Sequence, residues 1–130
     1  YYGDPAAACA DLIGRTVAFA AQRPQVHQIM MSESTMPTER LNWVIETHVR
    51  EGYDGLKLLW THPREEEIAA PIDPSLIHYV LIGSASTPYL HRAGARLLLG
   101  EDPVAPEVIE RHTAGLIATL LPGWNPPNAA

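Results

Sequence analysis

Twelve prolines fall within 130 residues, and their positions constrain the fold more than any other feature of the chain. Proline lacks a backbone N–H and crowds the preceding turn, yet it is tolerated at the first position of a helix, where that N–H would be unpaired anyway. Asp4-Pro5 opens an alanine-rich run that continues to Gln22, with Asp4 suited to cap the free N–H groups behind it. Asp73-Pro74 repeats the device ahead of SLIHYVLIGSAST. Pro24, Pro37 and Pro106 each precede an apolar pattern of period near 3.6, and Pro122-Gly123 stops the last one. The prolines mark helix boundaries.

Periodicity agrees. Cys9, Leu12, Ile13, Thr16, Val17 and Ala20 form one stripe with Phe19 at its edge, and Leu41, Val44, Ile45 and His48 follow i, i+3, i+4, i+7 spacing. A third stripe comprises Ile109, Thr113, Leu116, Ile117 and Leu120. Glu46/Arg50 and Glu107/Arg111 are spaced as surface ion pairs. Alternation of apolar and polar residues is nearly absent, so the chain reads as one all-α domain, residues 1–130, of about six or seven antiparallel helices. Glu65-Glu66-Glu67 followed by Ile68 to Ile72 reads as a loop with a frayed helical start, its charge run solvated. Pro88 lies inside the helix that starts at Asp73, so a kink or break is expected near Thr87, with HRAGARLLLG a short helix ending at Gly100.

Charge and composition exclude several functions. The net charge is −6, with eight arginines, one lysine (Lys57) and no basic block, a poor footprint for gripping phosphates. No apolar run is long enough to span a bilayer, and no secretory signal is visible. The single Cys9 fits a reducing cytoplasm.

PQVHQIMMSE, Pro24 to Glu33, invites a metal, because His27 and Met31 stand one helical turn apart with Met30 beside them. No second marked ligand set accompanies them. No two of the six histidines share the i, i+4 spacing of a helical zinc pair, and no CxxC or HExxH exists. No metal or cofactor is therefore expected. GSAST lacks the strand-turn-helix setting of a nucleophile elbow, and the carboxylates form no pair, so an enzyme is not expected. What remains is an excess of bulky, adaptable side chains on helix faces. Packing is their plain role; the sharper one is an inter-helix cavity for a small apolar or amphipathic molecule. On that reading Phe19, His27, Met30, Trp43, His48, Trp60 and Tyr79 would line it, with Val26, Ile29 and Met30 the inward face of the short helix.

The order of these signals resembles the C-terminal domain of TetR-family transcriptional repressors over nearly all 130 residues. The segment RPQVHQIMMSES and the closing pattern of Gly100, Asp102, Pro103, Glu107, His112, Leu120, Leu121 and Gly123 carry the resemblance. It implies an effector-binding, homodimeric helical domain whose last two long helices, Pro74 to Leu90 and Pro106 to Leu121, form a four-helix bundle with a partner subunit. Operator DNA would be bound only by an N-terminal helix-turn-helix, which these residues do not contain. Tyr1-Tyr2-Gly3 would be the tail of the helix joining the two domains. Gly83, Ser84, Ala85 and Ser86 permit close helix contact. Val80, Ser84, Thr87, Ile109, His112, Leu116, Ile117 and Leu120 would then be the dimer contacts. A helical dimerisation module without a ligand, and a small helical enzyme or metal carrier using His and Met residues, are the alternatives.

Overall fold

A computed structural model of the chain describes residues 3–127. Tyr1 and Tyr2, expected to end a connecting helix, lie outside the described residues, which contain helices and no strand. Helix α1 (Pro5–Gln22) starts on Pro5, and the Asp4 carboxylate accepts the Ala6 N–H at 3.0 Å. Arg23 alone separates it from α2 (Pro24–Glu33). Helix α3 (Glu39–Val44) is capped by Thr38 rather than Pro37, the Thr38 hydroxyl accepting the Leu41 N–H at 3.1 Å. It runs through a π-helical turn (Ile45–Val49) into α4 (Arg50–Glu65). Helices α5 (Ile77–Leu90), α6 (Arg92–Leu99) and α7 (Pro106–Leu120) complete the chain. Gly100 closes α6 with φ at +71°, a left-handed conformation that glycine adopts without steric cost.

Helix α1 is the hub, packing against α2, α4, α5 and α7. Its buried face is narrow (Ala6, Cys9, Ala10, Ile13, Val17, Ala20), which lets several helices approach one axis. Trp60 of α4 fills the centre of the larger core cluster, 1% exposed, among Cys9, Ile13, Leu56, Ile77, Leu81 and Leu121, and its indole N–H donates to the Ile72 carbonyl at 3.3 Å. Val17, Ala20, Ala85 and Tyr89 make a second cluster.

Two prolines stand inside helices, Pro63 in α4 and Pro88 in α5, and both helices continue past them. The expected break near Thr87 does not occur. A proline leaves the carbonyl four residues before it without its helical donor, here Leu59 and Ser84. Each is met from another helix. Cys9 of α1 directs its thiol at the Leu59 carbonyl at 3.9 Å, and His112 of α7 brings Nε2 to the Ser84 carbonyl at 3.0 Å. A carbonyl can only accept, so Nε2 is the donor to Ser84, and in the matching tautomer Nδ1 accepts the Tyr89 hydroxyl at 2.9 Å. Burial, with Asp4 adding to it, pushes the Cys9 thiol up to about 11, so it stays protonated and can donate.

Three further expectations are corrected. Asp73 accepts from the Ser75 N–H (2.9 Å) and hydroxyl (2.8 Å), which makes a turn, so the following helix begins at Ile77 and not at Pro74. Arg111 grips Glu101 with both terminal nitrogens (3.2 and 2.6 Å) instead of pairing with Glu107, because a two-toothed carboxylate contact from the preceding loop outmatches an i, i+4 pair. Of the expected stripe Leu41, Val44 and Ile45 are half-buried but His48 is exposed, since the π turn adds a residue and moves the next inward position to Val49. The Glu46/Arg50 pair forms at 3.2 Å as expected, and the stretch after Glu65 is a loop.

That loop is sewn to the end of α7. The Ala70 N–H donates to Leu120 O at 2.8 Å and the Gly123 N–H to Ile68 O at 2.9 Å. A Cβ at Gly123 would lie 2.9 Å from Ile68 Cα and 3.0 Å from Glu67 O, both backbone atoms that cannot swing away. Gly123→Ala should therefore cost about 1–3 kcal/mol in urea unfolding. Gly52→Ala, in open space on α4, should instead stabilise by about 0.5–1 kcal/mol. For the proline-freed carbonyl, His112→Ala should cost about 2–3 kcal/mol, because it strands the Ser84 carbonyl and the Tyr89 hydroxyl. In a Pro88→Ala background residue 88 regains an N–H for Ser84, so the same substitution should cost about 1 kcal/mol less. Strict additivity in the double-mutant cycle would show that the two donors do not compete for one acceptor.

Candidate functional site

The expected ligand residues do not gather into one enclosed cavity. Trp60 is core, and Phe19, Trp43 and Tyr79 lie on the surface. Along α2 the inward edge is Pro24, His27 and Met30, half-buried at every third residue, so of the expected inward face only Met30 turns in while Val26 and Ile29 face solvent. The short helix lies across α1 and α5, and so presents a narrow edge and not a broad apolar side.

A polar-aromatic face does form where α2, α4 and α5 meet. His78 of α5 stands edge-on to Tyr53 of α4 at 5.6 Å between ring centroids, and to its neighbour Tyr79 at 5.2 Å. The Tyr53 hydroxyl donates to the Ser75 carbonyl at 2.7 Å, which fixes the ring against the start of α5. The Arg50 guanidinium and the Lys57 ammonium each lie 5.9 Å from the centre of the Tyr53 ring. His27 is close enough to His78 to disfavour its protonation. Trp43 and His48 form a separate edge-to-face pair at 5.3 Å on the α3–π segment. The face offers ring edges, neutral imidazoles and two cations on long stems, and it suits an amphipathic molecule better than a bond-breaking step.

Tyr53 is the residue that sequence reasoning missed. Its signal was local: Arg50 and Lys57 stand three residues before and four after it, so both basic stems reach its ring on a helix. His78 is likewise absent from the expected lining residues; only the fold brings it to α2.

The expected dimer contacts divide. Leu120 is buried in the monomer core, and Val80, Leu116 and Ile117 pack against the same cluster, with Ile109 against the second. His112 is committed within the subunit, and Ser84 is half-buried with its hydroxyl donating to Val80 O at 2.7 Å. Thr87 is exposed. The α7 stripe turns inward because α1 claims it, as the 3.6 Å approach of a Gly14 Cβ to Thr113 illustrates. The positions left facing solvent are Tyr79, Gly83 and Thr87 on α5; on α7 they include Ala114, Gly115 and Ala118 beside the polar Glu107, Glu110, Arg111 and Thr119.

Among the described residues, no three His, Cys, Asp or Glu side chains converge as a metal cage, and no helix is long and apolar enough to cross a membrane. No protein-family model, curated protein or solved structure matches the chain.

Burial holds the His78 imidazole below its ordinary value of 6.5, with His27 adding to the effect, and burial alone lowers His27. The unfolded chain therefore takes up protons that the folded one resists. Stability from this face should be full above about pH 6.5 and fall as the pH drops through that value. Asp73, Glu101 and Asp102 are held down by the Ser75 N–H, the Arg111 guanidinium and the Val104 N–H respectively, and their contribution is lost only below ordinary values of 3.8 to 4.5. Urea midpoints measured across the higher window should decline, and His78→Gln should flatten the decline. An unchanged slope in the variant would remove His78 as its source.

Proposed function

We propose that this chain is the effector-sensing and dimerisation domain of a TetR-like transcriptional repressor that works in the cytoplasm. The observation that carries the reading is the division of labour between helix faces. Helices α5 and α7 bury one side against α1, and their exposed sides carry a stretch of small residues, Gly83 and Thr87 on α5 and Ala114, Gly115 and Ala118 on α7, flanked by Tyr79 and by Glu110, Arg111 and Thr119. Two such helices from each of two subunits can approach closely enough to make a four-helix bundle. The Tyr53–His78 face lies at the opposite, N-terminal half of α5 and abuts α2, so one helix connects an effector face to a dimer face.

The mechanism is a ligand-biased population shift. An amphipathic effector that binds one arrangement of α2 against α5 better than another favours that arrangement in both subunits. It moves the equilibrium only by its differential affinity for the two states. Operator contact belongs to a basic helix-turn-helix of roughly 50 residues, encoded ahead of Tyr1. A dimerisation module without a ligand is the second reading, favoured by the surface positions of Phe19, Trp43 and Tyr79 and by Trp60 lying in the core.

Light scattering should give a dimer at micromolar concentration, and Gly83→Arg combined with Ala118→Arg should give a folded monomer. A monomeric parent chain would overturn the bundle. A dimer that binds no amphipathic compound at the Tyr53–His78 face would favour the second reading.

A further inference from the structure

Behind His112, between α5, the loop after α6 and α7, lies a partly open cleft of about 270 Å³. It lies away from the Tyr53–His78 face, and none of the seven residues expected to bind a ligand lines it. Its walls are Pro88, Leu99, Pro103 and Val108, two flat rings and two aliphatic side chains. Tyr89, Arg111 and His112 complete the lining and supply the polar side-chain groups.

The commitments of those three groups define what the cleft can accept. Both His112 nitrogens are engaged, one by Ser84 and one by Tyr89. The Tyr89 hydroxyl gives its proton to His112 and keeps a lone pair, so toward the cleft it is an acceptor. The Arg111 charge is already balanced by its two-toothed grip on Glu101, which leaves the flat guanidinium face and spare N–H groups. The Glu101 carboxylate neutralises the Arg111 charge and would repel an anionic guest, a penalty that a neutral one does not meet. The volume is just under the roughly 300 Å³ at which ordinary ligand pockets begin, so the guest is small. Proline rings and a planar cation both suit the face of an aromatic ring.

We propose that this cleft binds a small neutral aromatic compound, one ring or a fused pair, whose single N–H or O–H group donates to the Tyr89 hydroxyl oxygen. Such a guest would lean on His112, which holds the Ser84 carbonyl that Pro88 leaves unpaired. Occupancy would therefore bear directly on the α5–α7 contact. The proposal needs neither the repressor reading nor the dimer, because binding here is a property of the folded chain alone.

Indole is the probe, titrated into the whole chain with NMR detection. The expected result is saturable shifts at millimolar indole in the ring signals of Tyr89 and His112 and the methyls of Leu99 and Val108, with Tyr53 and His78 unmoved. Benzoate, of similar size but charged, should bind several-fold more weakly. Val108→Phe fills the cleft and should abolish the shifts. Leu99→Asp, at the half-exposed mouth where folding is not at stake, should weaken binding roughly ten-fold by removing one apolar wall. If Val108→Phe fails to fold, Leu99→Asp decides. Absence of saturable shifts up to the solubility of indole, benzoate binding as tightly as indole, or undiminished binding by Leu99→Asp would each overturn the proposal.

Discussion

A helix carbonyl four residues before a proline has no N–H to meet it, and in this chain two such carbonyls, Leu59 and Ser84, are met by donors from other helices. The two contacts differ in strength, a weak thiol donor at 3.9 Å and an imidazole N–H at 3.0 Å, but share a geometry. Each joins a proline-bearing helix to one that carries none in its interior: α4 to α1 through Cys9, and α5 to α7 through His112. Hydrogen bonds that would ordinarily be spent within a helix are spent between helices. Their direction fixes how α1 and α7 are rotated about their own axes, which apolar contact alone leaves loose.

Once those rotations are set, the packing follows from side-chain size. Helix α1 carries alanines and Cys9 where neighbours come closest, and larger Ile13 and Val17 where there is room. Trp60, the largest fully buried side chain, spends its one polar atom on Ile72, which closes the core against the loop after α4. That loop in turn rests on the Leu120–Gly123 turn, where backbone passes backbone too closely for any side chain. Among the described residues no buried side-chain nitrogen or oxygen is left without a partner, so the interior tolerates its polar atoms without strain.

Much of the fold was legible because its signals are local. Asp4-Pro5, Pro24 and Pro106 need only their own neighbours to start a helix, and Gly100 needs only its own φ to end one. The failures are tertiary. Pro88 looks like a break because nothing nearby in sequence announces that His112 will supply the missing donor. Glu107 lost Arg111 to Glu101, a residue from a loop whose path no spacing rule traces. The stripe of α7 is apolar as read, and within the subunit Leu120 is buried while Leu116 and Ile117 pack against the same core; a stripe alone does not say which helix covers it. The candidate face was half legible: His27 and Tyr79 stood out as lining residues while Tyr53 and His78 did not, and their meeting depended on α2 lying across α5.

The π turn at Ile45–Val49 makes chain length, as well as residue type, a variable on the surface that bears Trp43 and His48. Loss of one residue there would let the segment wind as ordinary α-helix, swinging Trp43 around the axis by about 100°. Leu56 and Trp60, anchored in the core beyond the turn, would hold their places. A single-codon deletion could thus re-aim one exposed face of the domain in one step and leave the interior intact, a change that many point substitutions could not reproduce.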